Sequence, residues 1–239
     1  MAKMTLDDLV SQLRAAFSAE LRAVVLYGSA AAGEHNPKTS DYNVLVLVDS
    51  LAADKLRAAS AVARAWSEAD NPAPLTLTLD EWRGSADIFP MEYADILERH
   101  KVLFGELPTD VRVDQGNLRL QLEREAMGVL LQLRRGALAA GNDTRDQLTL
   151  LERSSSTVMV ILRAVVRLVG KVPPRDNVEL SQAVASTAGF DASAFVQVVR
   201  HKRGEAPIRS SEAGEVLTRY LAAMQQLAQY LDRFSGRRK

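Results

Sequence analysis

The chain has 239 residues, 47% apolar and 25% charged, with Lys plus Arg and Asp plus Glu both at 30 and a formal net charge of +0. This is the composition of a globular protein with room for one large core or two modest ones, not of a disordered or fibrous chain. Balanced charge argues against a surface built to grip duplex nucleic acid, and the lack of cysteine excludes disulfides, thiolate zinc sites and a cysteine nucleophile.

Only His35, His100 and His201 could supply imidazole, so a histidine-rich metal site is not expected. The start is amphipathic and acidic at Asp7 and Asp8, unlike a secretory signal. No apolar run is long enough for a membrane span. The expectation is a soluble, cytoplasmic protein.

Thr5 and Asp8 have the spacing of a capping box, with Asp in place of Glu. Leu6, Leu9, Val10, Leu13, Ala16 and Phe17 then recur at helical spacing. Leu21 to Tyr27 is a short apolar run that predicts a buried strand. Gly28 to Ser40 is small, polar and turn-rich. Tyr42 to Val48 predicts a second strand, and Asp54 to Ala69 an alanine-rich helix that Asn71–Pro74 breaks. Leu75 to Leu79 alternates Leu with Thr, the period of a half-exposed strand. Phe89-Pro90 opens a helical stretch through Arg99, and Gly105 to Asp110 reads as a linker.

From Leu118 the texture is helical: Leu118–Ala140, Thr144–Val169, Val178–Ala188, Ala192–His201 and Ser211–Phe234. Glycine and proline fall in the gaps, as short helix connections require. The organisation expected is an α/β domain over 1–107 and an all-α helical bundle over 108–239. The leucine stripes of the long helices are core or a homo-oligomer interface.

Two features carry chemistry. Gly28-Ser29 ends a strand, where backbone N–H groups can approach a phosphate. Ser40-Asp41-Tyr42-Asn43 runs directly into Val44-Leu45-Val46-Leu47-Val48. Residues two apart on a strand share a face, so Asp41 and Asn43 point one way and Tyr42 the other. Paired oxygen ligands of this kind suit a hard divalent cation such as Mg²⁺.

Together, in this order, they resemble the signature of the DNA polymerase β-like nucleotidyltransferase superfamily: an apolar strand, Gly-Ser, about a dozen residues, then Asp-x-Asp in a second strand. The helical half is similar in texture to the C-terminal bundle of kanamycin nucleotidyltransferase-like members. The resemblance implies that Gly28, Ser29 and Ser40 hold the nucleotide, that Asp41 and Asn43 form the catalytic pair, and that Asp41 ligates the metal. It also implies an NTP as substrate or ligand, Mg²⁺, and a hydroxyl acceptor on a small molecule or protein.

The chain departs from that pattern. Asn43 stands where the family has its second Asp, and an amide brings no charge. For the family's third carboxylate, on the next strand and the same face, the chain offers Thr76 and Thr78. Asp80 would continue their alternation and Glu81 has the opposite parity. Glu92 is a candidate base at the mouth of the site, and Lys38 and Arg83 are candidate phosphate contacts. Arg200-His201-Lys202-Arg203 is either a solvated helix end or a phosphate or nucleic-acid site. Magnesium is therefore expected to bind weakly or not at all. Nucleotidyl transfer is expected to be weak or lost; the alternative is an inactive nucleotide-binding or regulatory module.

Overall fold

The structure, a computed structural model, describes residues 3–28, 30, 31, 33 and 41–234. The chain divides into two compact units, Met1–Asp114 and Gln115–Lys239.

The first unit opens with α1 (Leu6–Phe17), started by the expected box: Thr5 Oγ1 accepts from the Asp8 N–H, and the Asp8 carboxylate accepts from the Thr5 N–H. Its buried stripe is Leu9, Leu13 and Phe17. Four strands follow: β1 (Leu21–Tyr27), β2 (Asn43–Val48), β3 (Leu75–Thr78) and β4 (His100–Gly105), in the order β3-β2-β1-β4. β1 is antiparallel to β2 and to β4, while β2 and β3 run parallel. Helix α2 (Ala53–Ser67) makes the crossover that a parallel pair requires.

β1 and β2 are nearly continuous apolar runs because both faces of the sheet are covered there. Val24, Leu26, Val44, Val46 and Val48 pack with Phe17 of α1 and with Val62 and Trp66 of α2. Ala23, Val25, Leu45 and Leu47 pack with Trp82, Tyr93 and Ile96. These last come from α3 (Leu79–Gly84) and α4 (Pro90–Glu98).

Two local expectations are corrected, and one strand is found that was not expected. β3 stops at Thr78, because Thr78 and Glu81 form a capping box that starts α3: Glu81 N–H donates to Thr78 Oγ1 at 3.1 Å and Thr78 N–H to the Glu81 carboxylate at 2.7 Å. Asp80 thus lies on a helix and does not continue the strand. The segment after α4 is strand β4, paired with β1. The supposed linker is packed structure: Leu107 is buried in the core, Val111 and Val113 lie against it, and Pro108 O accepts from Trp82 Nε1 at 2.9 Å. Gly105 ends β4 at φ +70°, where a Cβ would lie 1.8 Å from Arg22 O. Only glycine allows β4 to approach β1 there.

The second unit contains α5 (Gln115–Ala140), α6 (Thr144–Leu168), α7 (Asn177–Ala188), α8 (Ser193–Lys202) and α9 (Ala213–Arg233), with no strand among its described residues. Asp143 and Asp176 cap α6 and α7 by accepting from first-turn N–H groups. Gly189, left-handed, ends α7. The apolar stripes meet in one bundle in which α6 touches each of the other four helices. Phe195 and Tyr220 pack edge to face at 4.8 Å in its core. On α5, Leu118, Leu122, Leu130 and Leu133 are core, while Leu120, Leu131 and Leu138 remain exposed. No helix is long and apolar enough to cross a membrane among the described residues.

Candidate functional site

The candidate site lies at one end of β1 and β2. Tyr27, the last residue of β1, pairs in register with Asn43, the first of β2. Gly28 then turns the chain at φ +76°, a left-handed conformation that disfavours a side chain. A Cβ on Gly28 would lie 3.5 Å from Asn43 Nδ2, so the strand end and the turn are directly apposed. Ser29, Lys38 and Ser40, and hence the Ser29–Asp41 separation, lie outside the described residues.

Alternation along β2 is as expected. Tyr42 belongs to the α1/α2 face: its ring is 6.1 Å from Trp66, and its N–H donates to Asn71 Oδ1 at 3.0 Å. Asn43 shares the opposite face with Leu45 and Leu47, and Asp41, preceding the strand, has the same parity. Burial falls along this row: Leu45 and Leu47 are buried, Asn43 is half-buried, Asp41 is exposed.

Thr76 and Thr78 do not stand where a third carboxylate would. In register, Leu45 pairs with Leu75, Val46 with Thr76, Leu47 with Leu77 and Val48 with Thr78. In-register residues of parallel strands share a face, so both threonines lie on the α1/α2 side. Leu75 and Leu77 share the face of Asn43. The parity of β3 relative to β2 is a tertiary fact, and the Leu-Thr alternation alone is compatible with either assignment.

The nearby acids come instead from α4. Burial raises the Tyr27 phenol above its ordinary pKa, and the carboxylates of Glu92, Asp95 and Asp41 raise it further. Asp95 was not singled out from the sequence; it lies one helical turn after Glu92, at the i, i+3 spacing that places both on one side of a helix. Asp80 and Glu81 are on α3, Glu81 committed to its cap. Arg83 is 3.8 Å from Asp110 and exposed.

Asp41, Asn43 and Leu75 provide one carboxylate, one neutral amide and one hydrocarbon on this face of the two strands. Among the described residues no three His, Asp or Glu side chains are grouped so as to hold a metal ion.

Three residues of the basic cluster in the second unit, His201, Lys202 and Arg203, make internal contacts. His201 Nδ1 accepts from the Ile208 N–H at 3.0 Å, which leaves Nε2 to donate to Glu152 at 2.9 Å. Lys202 Nζ is 3.2 Å from Ser156 Oγ, and Arg203 donates to Asp176 at 2.7 Å. These groups join α8 to α6, to the α7 cap and to the following loop.

No family model matches the chain, and no curated protein matches it either. Among solved structures it is similar to spectinomycin adenyltransferase AAD(9) from Enterococcus faecialis, solved with ATP and spectinomycin. The match has a TM-score of 0.62 and 12% identity, and covers 95% of this chain and 98% of that one. A toxin-antitoxin structure with AMP-PNP also matches, at 20% identity over 56% of this chain and 96% of that one, but its TM-score of 0.29 carries no weight. At 12% identity the first likeness speaks for fold alone, and it spans both units. The chain has the fold of that adenyltransferase, itself a DNA polymerase β-like nucleotidyltransferase.

Proposed function

We propose that this protein binds a nucleotide at the Gly28–Asn43 end of the sheet and that its nucleotidyl transfer is slow or absent. The observation that carries the reading is the composition of one face: Asn43 apposed to Gly28, Leu45 and Leu75 beyond it, and Asp41 alone as the strand's carboxylate. The fold supports the nucleotide half, since the structural neighbour was solved with ATP. The missing acids support the other half, because transfer by two metals needs charge to bind the cations and to lower the pKa of an attacking hydroxyl.

A second reading keeps the enzyme. The influence of Glu92, Asp95 and Asp41 on Tyr27 favours it, because α4 would supply carboxylates that β3 does not. Glu92 would then be a base, or a ligand to Mg²⁺, for a hydroxyl on a small molecule or protein.

Calorimetry of ATP and GTP binding, followed by an assay for pyrophosphate release with Mg²⁺, separates the two. Saturable binding with negligible release supports the first reading. Release that disappears in both Asp41→Ala and Glu92→Gln proteins supports the second. Absence of nucleotide binding rejects both.

A further inference from the structure

Helix α5 has two apolar rows, and the bundle uses one. Leu118, Leu122 and Leu133 belong to the buried row, where α5 packs on α6 and α9. Leu120, Met127, Leu131 and Leu138 form the other, each between 45% and 84% exposed. Their separations of seven, four and seven residues keep them on one side of the helix. Arg124 and Arg134 fill the gaps between them, completing the alternating steps of three and four of a coiled-coil seam. At the helical rise per residue the seam is about 27 Å long.

Two interior glycines of α5 add a second observation. A Cβ on Gly136 would lie 2.5 Å from Leu150 Cδ1, so packing against α6 requires that glycine. A Cβ on Gly128 would meet nothing within 4 Å. Glycine weakens a helix interior relative to alanine, and no contact among the described residues accounts for it at 128. Gly128 lies one turn from both Arg124 and Leu131, so it leaves a notch at the edge of the seam, open to a close approach from outside.

Charge decides between occupants. An antiparallel pair of α5 helices that matches Leu120 with Leu138 and Met127 with Leu131 also matches Arg124 with Arg134. A parallel pair matches each arginine with itself. Either way a second copy brings like charges together in the seam, which opposes association. The arginines are held only at the surface: Arg124 donates to its neighbour Glu125 at 3.0 Å and Arg134 to Gln225 Oε1 at 3.1 Å, and both remain exposed. The unit that carries them, Gln115–Lys239, has 19 Lys and Arg against 12 Asp and Glu. An acidic partner is therefore attracted both at long range and at the seam. The apolar row favours a helix over a nucleic acid, whose phosphates would gain nothing from leucine.

We propose that the exposed seam of α5 docks an acidic amphipathic helix of another protein, with carboxylates facing Arg124 and Arg134 and a side chain seated at Gly128.

The probe is a synthetic helix-forming peptide as long as the seam, with Leu facing the apolar row and Glu facing the two arginines. A control peptide carries Lys in place of both Glu residues. Binding to the full-length protein is read by fluorescence anisotropy, and the oligomeric state of the free protein by analytical ultracentrifugation. The free protein should be monomeric, and the Glu peptide should bind saturably and at least tenfold more tightly than the Lys peptide. Leu131→Asp and Gly128→Leu should each weaken the Glu peptide at least tenfold while leaving the urea midpoint of the protein unchanged. Reversing both arginines, Arg124→Glu with Arg134→Glu, should transfer the preference to the Lys peptide. Failure of the Glu peptide to bind, or equal binding of the two peptides, overturns the proposal. A lower urea midpoint for Leu131→Asp shows that the row is packed within the chain, and overturns it too. A dimer that Leu131→Asp dissociates makes a second copy the occupant. A single-stranded RNA oligonucleotide that displaces the Glu peptide, and whose binding is unchanged in Leu131→Asp, makes the surface a polyanion site instead. Unchanged affinity in Gly128→Leu overturns the role of the notch.

Discussion

Strand β2 serves two faces of one sheet, and the two differ in how they end. On the α1/α2 face, Val44, Val46 and Val48 are closed over by Phe17 and Trp66, and the row stops at Tyr42 against Trp66. On the α3/α4 face, Leu45 and Leu47 are as deeply buried, but the row runs outward through half-buried Asn43 to exposed Asp41. Eight consecutive residues, Asp41 to Val48, therefore alternate between a closed core and a row that opens at one end. Each face is specified by the strand's period of two, so a slip of one residue would exchange their contents.

The largest expected effect comes from breaking the sheet beneath both faces. Gly105→Ala would place a Cβ 1.8 Å from Arg22 O at a φ of +70°. Either β4 moves off β1 or the backbone strains, and we expect a loss of about 3–4 kcal/mol, read as a lower urea midpoint.

The two tryptophans sharpen the comparison. Trp82 and Trp66 are both fully buried. Trp82 Nε1 donates to Pro108 O, while Trp66 Nε1 has no partner among the described residues. Phenylalanine at either position removes volume, but only Trp82→Phe also strands an acceptor. We expect about 2 kcal/mol for Trp82→Phe and about 1 kcal/mol for Trp66→Phe by chemical denaturation. Equal costs would show that the Pro108 bond contributes nothing net.

A third measurement tests the register on which the site assignment depends. Leu75 is 40% exposed, so Leu75→Asp should cost under about 1 kcal/mol. Combined with Asn43→Asp it adds an acid on the site face, and Mn²⁺ affinity should rise at least tenfold over the single variant. Thr76→Asp in the same background points to the other face and should leave Mn²⁺ affinity unchanged. The reverse result would mean that β3 is shifted by one residue.

The smallest effect is alkaline. Burial pushes the Tyr93 phenol up to about 12. The unfolded chain ionises near the ordinary value of about 10, so the folded state holds a proton that the unfolded state has lost. Tyr93 therefore contributes stability that is fully present below pH 10 and is lost as pH rises to about 12. Tyr93→Phe should flatten this limb of the curve of stability against pH.

Much of this was legible in the sequence, for local reasons. β1, β2 and the helices of the second unit are written in apolar periodicity and in turn residues, and the motif singles out Gly28 and Asn43, which the fold places side by side. The Thr78–Glu81 box was also present as a local pattern, masked by the Leu-Thr alternation before it. β4 was hidden because an edge strand with exposed Lys101 and Val102 shows no clean alternation. The face of Leu75, and the influence of Glu92 and Asp95 on Tyr27, depend on how separate elements pack, which no window of sequence contains.

The place of β1 in the sheet has a consequence for synthesis. One of its neighbours, β4, is not translated until Gly105, and the stretch from Tyr27 to Gly105 takes on the order of 4–16 s at ordinary elongation rates. Throughout that interval β1 is an apolar strand with a bare hydrogen-bonding edge, a template for mispairing with other nascent chains. Variants that slow the pairing of β4 with β1 should therefore lower soluble yield in cells by more than their equilibrium stabilities predict, and co-expressed holdase chaperones should restore it.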